Sequence, residues 1–330
     1  MRILVTGAAG FIGWHLAEAL AEHAHRVFGA DSMVGGRNRP KGVPLLVGDL
    51  ADAAFARHVA EVTRPEVLVH LAADPREGGS WYRVDSVVRN NTGTLAATLE
   101  GCLRVRTLRK VVFFSSMSRY GDAEPPFTEE TPAAPVDPYG VCKVACEHIV
   151  RQVAAAHGVA WSIIVPHNVI GPGQFVDPTR NVATIFANSA LRGEPLRVYG
   201  DGRQIRAFSN IRDSLPAYLK VVETDAADMM AVNIGGERPI SINDLVEETR
   251  KHFPDVAVTH VGSRYGEVRR AWCDHARAQD LLGFHEGIGW WAAVAEIARW
   301  VKATGPFEWE PVLVATPAEH TPVHWRKELD

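Results

Sequence analysis

Short runs of apolar residues alternate with longer segments in which apolar residues recur at helical spacing along the first half of the chain. The runs are rich in consecutive Val, Ile and Leu, as expected of strands that are buried on both faces. They read RILVTG, HRVFGAD, VPLLVGD, VLVHLAA, KVVFFSS and WSIIVPHN. The segments between them read FIGWHLAEALAEH, DAAFARHVAEV, NNTGTLAATLEGCLRV and PYGVCKVACEHIVRQVAAAHG. This alternation predicts an α/β fold with a parallel, doubly wound sheet of the Rossmann type.

Composition and charge are those of an ordinary soluble globular protein. The 330 residues are 46% hydrophobic and 22% charged, and their formal net charge is −4. No basic block is long enough to follow a nucleic acid, and no apolar stretch is long enough to span a membrane. We therefore expect neither a nucleic-acid partner nor a membrane partner. A chain of this length is expected to form one large domain or two associated domains.

The cysteines carry no recognisable metal or disulfide pattern. They are Cys102, Cys142, Cys146 and Cys273. Their spacing matches neither a metal-ligand set nor a dense disulfide framework, which suits a reducing compartment. The apolar N-terminal stretch is interrupted by glycines and followed by polar residues, so it does not read as a signal peptide. We expect a cytoplasmic protein without a metal site.

A glycine-rich loop follows the first predicted strand. Gly7, Gly10 and Gly13 lie in GAAGFIG, directly between RILVT and an amphipathic helical segment. Small residues at such a junction let backbone amides approach a pyrophosphate at the helix N-terminus. The position of this loop predicts a dinucleotide-binding site.

An acidic residue ends the second predicted strand, where it can bind the ribose hydroxyls of an adenosine. Asp31 would repel a 2′-phosphate, so the sequence favours NAD over NADP. Arg37, Arg39 and Lys41 follow in a Gly- and Pro-rich loop and leave NADP as a second option.

A tyrosine and a lysine lie four residues apart at the start of a predicted helix. Asp137-Pro138 is typical of a helix start, so Tyr139 and Lys143 should share one helix face. A free phenol has a pKa of about 10, and lowering it by about three units requires roughly 4 kcal/mol of preferential phenolate stabilisation. A nearby ammonium and an oxidised nicotinamide act in that direction, and burial opposes them. The pair is therefore predicted to supply a general base beside NAD, although such a pair also occurs on solvated helices.

Hydroxyl groups appear where KVVFFSS ends, at the carboxyl edge of a predicted central strand. With this third element the chain resembles the extended short-chain dehydrogenase/reductase family, the NAD-dependent nucleotide-sugar epimerases and dehydratases, and within it the UDP-hexose 4-epimerases. The resemblance runs to about Lys302. It is carried by TGAAGFIG, HLAA, NNTGT, SSMSRYG, YGVCK, PHNVIGPGQ and GDGRQIRAFSNIRD.

The resemblance implies roles for individual residues. Tyr139 is expected to be the catalytic acid/base, Lys143 to hold the nicotinamide ribose and lower the tyrosine pKa, and Ser116 to bond the reacting sugar hydroxyl. Asn91 is an alternative to Asn90 as the asparagine near the cofactor. The residues expected to bind NAD are Gly7, Gly10, Phe11, Ile12, Gly13, Asp31, Asp49, Leu50, Leu71, Ala72, Ala73, Asn90, Tyr139 and Lys143. Those expected to bind the nucleotide sugar are Ser116, Ser118, Asn168, Arg206, Arg264 and Glu267.

The resemblance also implies a division into two lobes and a tail. Residues 1–165 are expected to form the NAD-binding Rossmann domain, to which the chain returns around 205–230. Residues 166–204 and 231–302 are expected to form a smaller α/β domain that binds the nucleotide sugar, and 303–330 a C-terminal tail. A homodimer is expected through the helices that contain Asn90 and Tyr139.

The residues after Ser116 bear on the reaction. Dehydratases of the family carry an Asp-Glu pair there, whereas this chain has Met117 and Ser118, neither of which replaces a carboxylic acid in an elimination. We therefore predict a nucleotide-sugar 4-epimerase that oxidises C4 transiently, with UDP-hexose or UDP-uronate as substrate. A net oxidoreductase is the alternative, a dehydratase or decarboxylase is less favoured, and a noncatalytic NAD-sensing scaffold is disfavoured by the Tyr/Lys pair.

Two residues depart from the family pattern. Arg119 stands where a small aliphatic residue is usual, and a cation there would select a uronate carboxylate. His167 precedes Asn168 and has two readings, a sugar contact or acid/base on the one hand and a packed core histidine on the other.

Overall fold

A computed structural model of the protein describes residues 1–175, 180–264 and 266–308. Its strands are β1 (Arg2–Thr6), β2 (Arg26–Asp31), β3 (Leu45–Val47), β4 (Val67–His70), β5 (Lys110–Phe114), β6 (Ala160–His167), β7 (Val169–Ile170), β8 (Leu196–Tyr199), β9 (Ile205–Ala207), β10 (Ser209–Asn210), β11 (Met230–Gly235), β12 (Pro239–Ser241), β13 (Val258–Val261) and β14 (Arg270–Ala271). Its α-helices are α1 (Phe11–Glu22), α2 (Ala53–Thr63), α3 (Val84–Val88), α4 (Thr94–Arg104), α5 (Pro138–His157), α6 (Val182–Leu191), α7 (Ile211–Glu223), α8 (Ile242–Arg250), α9 (Ala276–Leu282) and α10 (Trp290–Thr304).

The large sheet has seven parallel strands in the order β11-β6-β5-β4-β1-β2-β3. Helices cover both of its faces. On one face α1, α7 and α9 bury Leu16, Tyr218 and Leu282 against the sheet. On the other, α2 and α4 bury Val59 and Leu99, and α5 packs beside them. The predicted Rossmann-type, doubly wound α/β fold is confirmed.

The strand order reverses at the centre of this sheet. From β1 the chain moves outward to β2 and β3, and then returns to the other side of β1 to add β4, β5 and β6. In open α/β sheets, ligands bind in the crevice that such a reversal leaves at the carboxyl ends of the strands. The residues that follow β1, β4 and β5 are therefore placed to line one site.

A smaller lobe lies beyond these carboxyl ends. It contains the parallel pair β8-β13 and a three-stranded sheet in the order β12-β9-β14. Helices α6, α8 and α10 contribute Phe186, Leu245 and Ile297 to its apolar core. This lobe supplies the wall that faces the glycine loop across the crevice.

The segment that returns to the large sheet differs from the expected 205–230. Residues 205–207 form β9 of the smaller lobe, whereas α7 packs on α1 and β11 pairs with β6 through Gly235. Residues 211–235 therefore belong to the large lobe. The expected boundary at 231 therefore fell inside β11. The apolar residues of β11 are compatible with a strand in either lobe, so the sequence alone did not show to which lobe the strand belongs.

The C-terminal segment is described only as far as residue 308. Helix α10 ends at Thr304, and the Phe307 backbone N–H donates to the Asn188 side-chain oxygen at 2.7 Å. The rest of the expected tail, 309–330, lies outside the described residues. Within the described ranges, none of the helices has both the length and the apolar character needed to cross a bilayer.

Candidate active site

One cavity of about 1360 Å³ lies between the two lobes. Every residue predicted above to bind cofactor or substrate lines it, from the glycine loop on the large sheet to Arg264 of the smaller lobe. Its volume exceeds the ~300–1,000 Å³ typical of a pocket for one drug-sized ligand. The cavity therefore has room for two ligands side by side.

The glycine loop leaves no space for side chains. Gly7 has φ +68°, and a Cβ there would lie 2.9 Å from the backbone N of Ala72. A Cβ on Gly13 would lie 2.1 Å from the Gly7 carbonyl oxygen. The loop thus packs closely on the end of β4 and on the first turn of α1, whose free amides point toward the crevice.

Asp31 ends β2 beside this loop. One carboxylate oxygen accepts the Ala9 N–H at 2.9 Å and the other accepts the Met33 N–H at 2.7 Å. Each oxygen retains a lone pair for a ribose hydroxyl. Arg37, Arg39 and Lys41 were the residues that kept NADP as a second option. Of these, Arg37 lines the cavity, and its guanidinium lies 5.7 Å from the Phe175 ring centroid.

Helix α5 begins as predicted and presents Tyr139 and Lys143 to the cavity. The Asp137 side chain caps the helix by accepting the Gly140 N–H at 2.8 Å. The Lys143 ammonium donates to the Phe114 carbonyl at 2.8 Å and lies 5.6 Å from the Tyr139 ring centroid. The lysine is thus tied to the end of β5 and fixed beside the phenol.

Ser116 completes this group from the carboxyl end of β5. Its hydroxyl accepts the Ser118 N–H at 3.2 Å, which holds the turn after the strand. A hydrogen bond from Ser116 to Tyr139 favours the phenolate and so acts to lower the pKa of Tyr139. Ser116 and Lys143 therefore both lie beside the Tyr139 phenol.

Burial dominates the ionisation of this group. It raises the pKa of Tyr139 above its ordinary value, and the Ser116 hydrogen bond opposes it only in part. Burial also lowers the pKa of Lys143 to about 8. The lowering of the tyrosine pKa that the resemblance implies is therefore not a property of the protein alone, and Tyr139 is protonated at neutral pH.

Two carboxyl groups near Tyr139 were not among the predicted site residues. Asp137 lines the cavity, and burial together with the negative charge of Glu77 raises its pKa to about 7. Glu77 lines the same cavity and also acts to raise the pKa of Tyr139. Asp137 was read only as a helix start, and Glu77 lies in an irregular segment after HLAA that has no motif of its own.

Two arginines line the wall formed by the smaller lobe. The Arg206 guanidinium donates to two backbone carbonyls, one of them that of Val268 at 2.7 Å. Arg264 donates to the Glu267 carboxylate at 2.9 Å and lies 4.7 Å from the Tyr199 ring centroid. Both guanidiniums are held by neighbours and retain further donors, as an anion-binding group requires.

The asparagines divide between the cavity and the core. Asn90 lines the cavity and donates to the Ser86 hydroxyl at 3.0 Å. Asn91 is buried and donates to the Asp74 carbonyl at 3.2 Å, so it holds the segment after β4. Asn168 lines the cavity with φ +40° and donates to the Ala207 carbonyl at 3.2 Å. Asn90, rather than Asn91, is therefore placed to meet a ligand.

Arg119 and His167 do not lie in the cavity, and the proposed uronate-selecting role of Arg119 is wrong. The Arg119 side chain is 7% exposed and forms an ion pair with buried Glu147 at 3.1 Å. His167 is fully buried, bonds the Asn233 side chain at 3.3 Å, and has its pKa lowered to about 3 by burial. Of the two readings of His167, the structure supports the packed core histidine.

The cavity fits a dinucleotide along the large sheet. A loop in which a Cβ has no space, free amides at the start of α1 and a fixed acidic group at Asp31 are the features that bind a pyrophosphate and an adenosine ribose. A profile of the NAD dependent epimerase/dehydratase family matches residues 3–235. The chain belongs to this family. As a family member it is an NAD-dependent, epimerase-type enzyme, and NAD is its cofactor.

Known proteins agree with this membership over most of the chain. The UDP-glucose 4-epimerase of Mycolicibacterium smegmatis is 29% identical, with 92% of this chain and 99% of that protein covered. The crystal structure of Thermus thermophilus UDP-glucose 4-epimerase in complex with NAD superposes with a TM-score of 0.87 at 25% identity, covering 92% of this chain and 100% of that one. UDP-glucuronic acid 4-epimerase from Bacillus cereus superposes with a TM-score of 0.84 at 26% identity and the same coverage. Relatives thus include enzymes named for a neutral and for an acidic sugar.

Proposed function

We propose that this protein is a 4-epimerase of UDP-linked sugars. The observation that carries the proposal is the group formed by Ser116, Tyr139 and Lys143, which lies in one cavity with both the glycine loop and the two arginines. A sugar between the tyrosine and the arginines has its ring at the hydroxyl pair and its diphosphate at the cations. The names of the relatives support UDP as the nucleotide.

The proposed mechanism moves one proton through Tyr139. This step requires the phenolate form of Tyr139, which the positive nicotinamide of bound NAD would favour together with Lys143. The phenolate oxygen would take the proton of the C4 hydroxyl, which Ser116 orients, and would return it to the same sugar oxygen after the sugar has rotated. Lys143 holds its positive charge beside the ring and favours the phenolate. NAD, when bound, supplies the transient oxidation at C4 and is regenerated in each cycle. Inversion at C4 follows when the sugar presents its other face.

The test identifies the product. The protein is incubated with NAD and UDP-glucose, or with UDP-galactose, and the sugars are followed by NMR together with the absorbance of reduced nicotinamide. Inversion at C4 without net cofactor reduction supports the proposal. A 4-keto-6-deoxy product would contradict it, which matters because Glu77 and Asp137 bring carboxyl groups into the cavity. Carbon dioxide release or stoichiometric reduction of NAD would contradict it as well.

We also propose that two copies associate in the cytoplasm through the face formed by α3 and α5. Val84 and Val88 on α3 are 50% and 47% exposed, and Val141 on α5 is 54% exposed. The two helices pack on each other through Val87 and Cys142, and we propose that the exposed valines beside this contact form one apolar surface. The four cysteines are free and buried, which supports the expectation of a reducing compartment.

A further inference from the structure

Glu77 begins a 3-10 helical segment, Glu77–Tyr82, that forms part of the cavity wall after β4. The two arginines that flank the segment anchor it, because Arg76 and Arg83 form ion pairs with the buried Asp74 carboxylate at 2.7 Å and 3.3 Å. The Glu77 side chain itself is exposed. Within the described part of the chain its carboxylate makes no hydrogen bond or ion pair. The anchored segment thus places an exposed carboxylate, unpaired among the described residues, on the wall of the site.

The charge of Glu77 acts on both ends of the proposed sugar subsite. Burial is the largest influence on the pKa of Tyr139, Arg206 and Arg264, and beside it the negative charge of Glu77 acts to raise all three. All four side chains line the same cavity. The Glu77–Tyr82 segment packs on α5, which carries Tyr139, and a Cβ on Gly266 would lie 3.3 Å from the Trp81 ring. The segment therefore lies between the tyrosine and the loop that carries Arg264. In the proposed complex that is the place of the sugar ring.

A carboxylate at this position has a cost for the reaction. Its negative charge disfavours the Tyr139 phenolate, which is the form that takes the C4 proton. It also weakens the attraction of the two arginines for a diphosphate. Hydrogen bonds to the sugar would offset these two unfavourable effects. A carboxylate can accept hydrogen bonds from two sugar hydroxyls.

The same carboxylate repels an acidic sugar. The cation that sequence analysis offered to a uronate, Arg119, is buried in its pair with Glu147. Lys143 is tied to the Phe114 carbonyl, and the charge of Arg180 favours the Tyr139 phenolate. Arg76 and Arg83, which line the cavity beside Glu77, are paired with buried Asp74.

We propose that Glu77 is a specificity-determining residue that accepts hydrogen bonds from the sugar hydroxyls and excludes anionic sugars, so that the substrate is a neutral UDP-hexose and not a UDP-uronate. The inference rests on the proposed nucleotide-sugar function. It concerns binding of the sugar, and it can be measured without turnover.

The experiment compares two ligands that differ in charge at the sugar. UDP-glucose and UDP-glucuronate each displace a fluorescent UDP analogue from the NAD-loaded protein, in a Tyr139→Phe background that prevents turnover. Because both ligands carry the same diphosphate, the ratio of their Kd values isolates the sugar. The ratio is measured with Glu77, with Glu77→Gln, and with the matched control Glu124→Gln. Glu124 is an exposed glutamate, paired with Arg270, that does not line the cavity.

With Glu77 we expect UDP-glucose to bind about tenfold more tightly than UDP-glucuronate, which corresponds to about 1.4 kcal/mol. In Glu77→Gln the ratio of Kd values is expected to fall to about threefold or less, mainly because the uronate binds more tightly. This change lowers the difference in binding free energy between the two ligands by about half. Glu124→Gln is expected to keep the original ratio.

An unchanged ratio in Glu77→Gln overturns the inference, and so does a protein that binds the uronate at least as tightly as the hexose. These results are separate from the reaction test above. A shifted ratio without C4 inversion supports the role of Glu77 and contradicts the 4-epimerase function. C4 inversion with an unchanged ratio supports the 4-epimerase function and contradicts the role of Glu77. A protein that binds neither ligand overturns both.

Discussion

The guanidinium of Arg119 lies 3.1 Å from the carboxylate of Glu147, and the two side chains are only 7% and 2% exposed. The same carboxylate accepts the Ser115 hydroxyl at 2.5 Å and contacts Arg151 at 3.4 Å. Ser115 directly precedes Ser116, so this buried pair lies beneath the turn that presents the reacting hydroxyl. Arg119 therefore supports the site from the core.

Removing one partner of this pair should destabilise the fold. Arg119→Leu leaves the Glu147 carboxylate buried with less compensation, and breaking a buried pair in this way costs about 3 kcal/mol or more. We expect a lower urea midpoint, and a partial recovery in Arg119→Leu combined with Glu147→Leu. If Arg119→Leu kept normal stability but changed the discrimination between UDP-glucose and UDP-glucuronate, Arg119 would instead be a substrate-binding residue.

Loss of the Tyr139 hydroxyl should slow turnover strongly while the fold remains. Tyr139→Phe removes the proton acceptor, and a positioned acid/base contributes about 10²–10⁴ in rate, so we expect about a thousandfold lower kcat with little change in thermal midpoint. Tyr218→Phe is the matched control, because Tyr218 is fully buried in α7 and does not line the cavity. Comparable losses in the two variants would argue against a catalytic phenol.

Asp137 should make stability depend on pH. Its pKa is raised to about 7 in the folded protein, first by burial and then by Glu77, against about 3.9 for an unfolded chain. The folded state therefore holds the extra proton, and its stabilising contribution is lost as the pH rises from about 4 to about 7.

Asp137→Asn keeps a capping side chain and cannot ionise. Relative to the wild type its free energy of unfolding should gain about 3 kcal/mol between pH 4.5 and pH 8, measured by urea unfolding at both values. Asp52→Asn is the control, because Asp52 caps α2 from an exposed position and accepts the Ala54 N–H. A constant difference between Asp137→Asn and wild type across this range would show that Asp137 ionises freely.

A charge on the apolar face of α3 and α5 should separate the proposed dimer. Val141→Glu places a carboxylate among Val84 and Val88, and burying it in an interface is unfavourable. Sedimentation velocity is expected to show a dimer for the wild type and a monomer for Val141→Glu. Val62→Glu, on a residue of α2 that is 49% exposed, is the control and should leave the dimer intact.

The parts of the site that the sequence predicted depend on local chemistry. A glycine loop between a strand and a helix, and a Tyr/Lys pair one turn apart, have the same geometry wherever the helix forms. Strands such as KVVFFSS are apolar on consecutive positions, which identifies a sheet that is covered on both faces. These features needed no knowledge of distant contacts.

The parts that the sequence did not predict depend on partners far along the chain. Arg119 is neutralised by Glu147, which lies 28 residues later on a different element, and nothing near Arg119 indicates that pairing. Glu77 reaches the site because Asp74 and its arginines fix an irregular segment. The direction of the Tyr139 pKa also depends on burial by the whole fold.

The place of β11 in the large sheet has a consequence during synthesis. Until Met230–Gly235 has left the ribosome, β6 is the outermost strand, and its consecutive apolar residues and free backbone groups form an open edge that can pair with another chain. A nascent chain, or a product truncated before residue 230, therefore exposes the edge of β6, which β11 covers in the finished protein. The last strand of the large sheet to be made thus decides whether β6 stays out of aggregates.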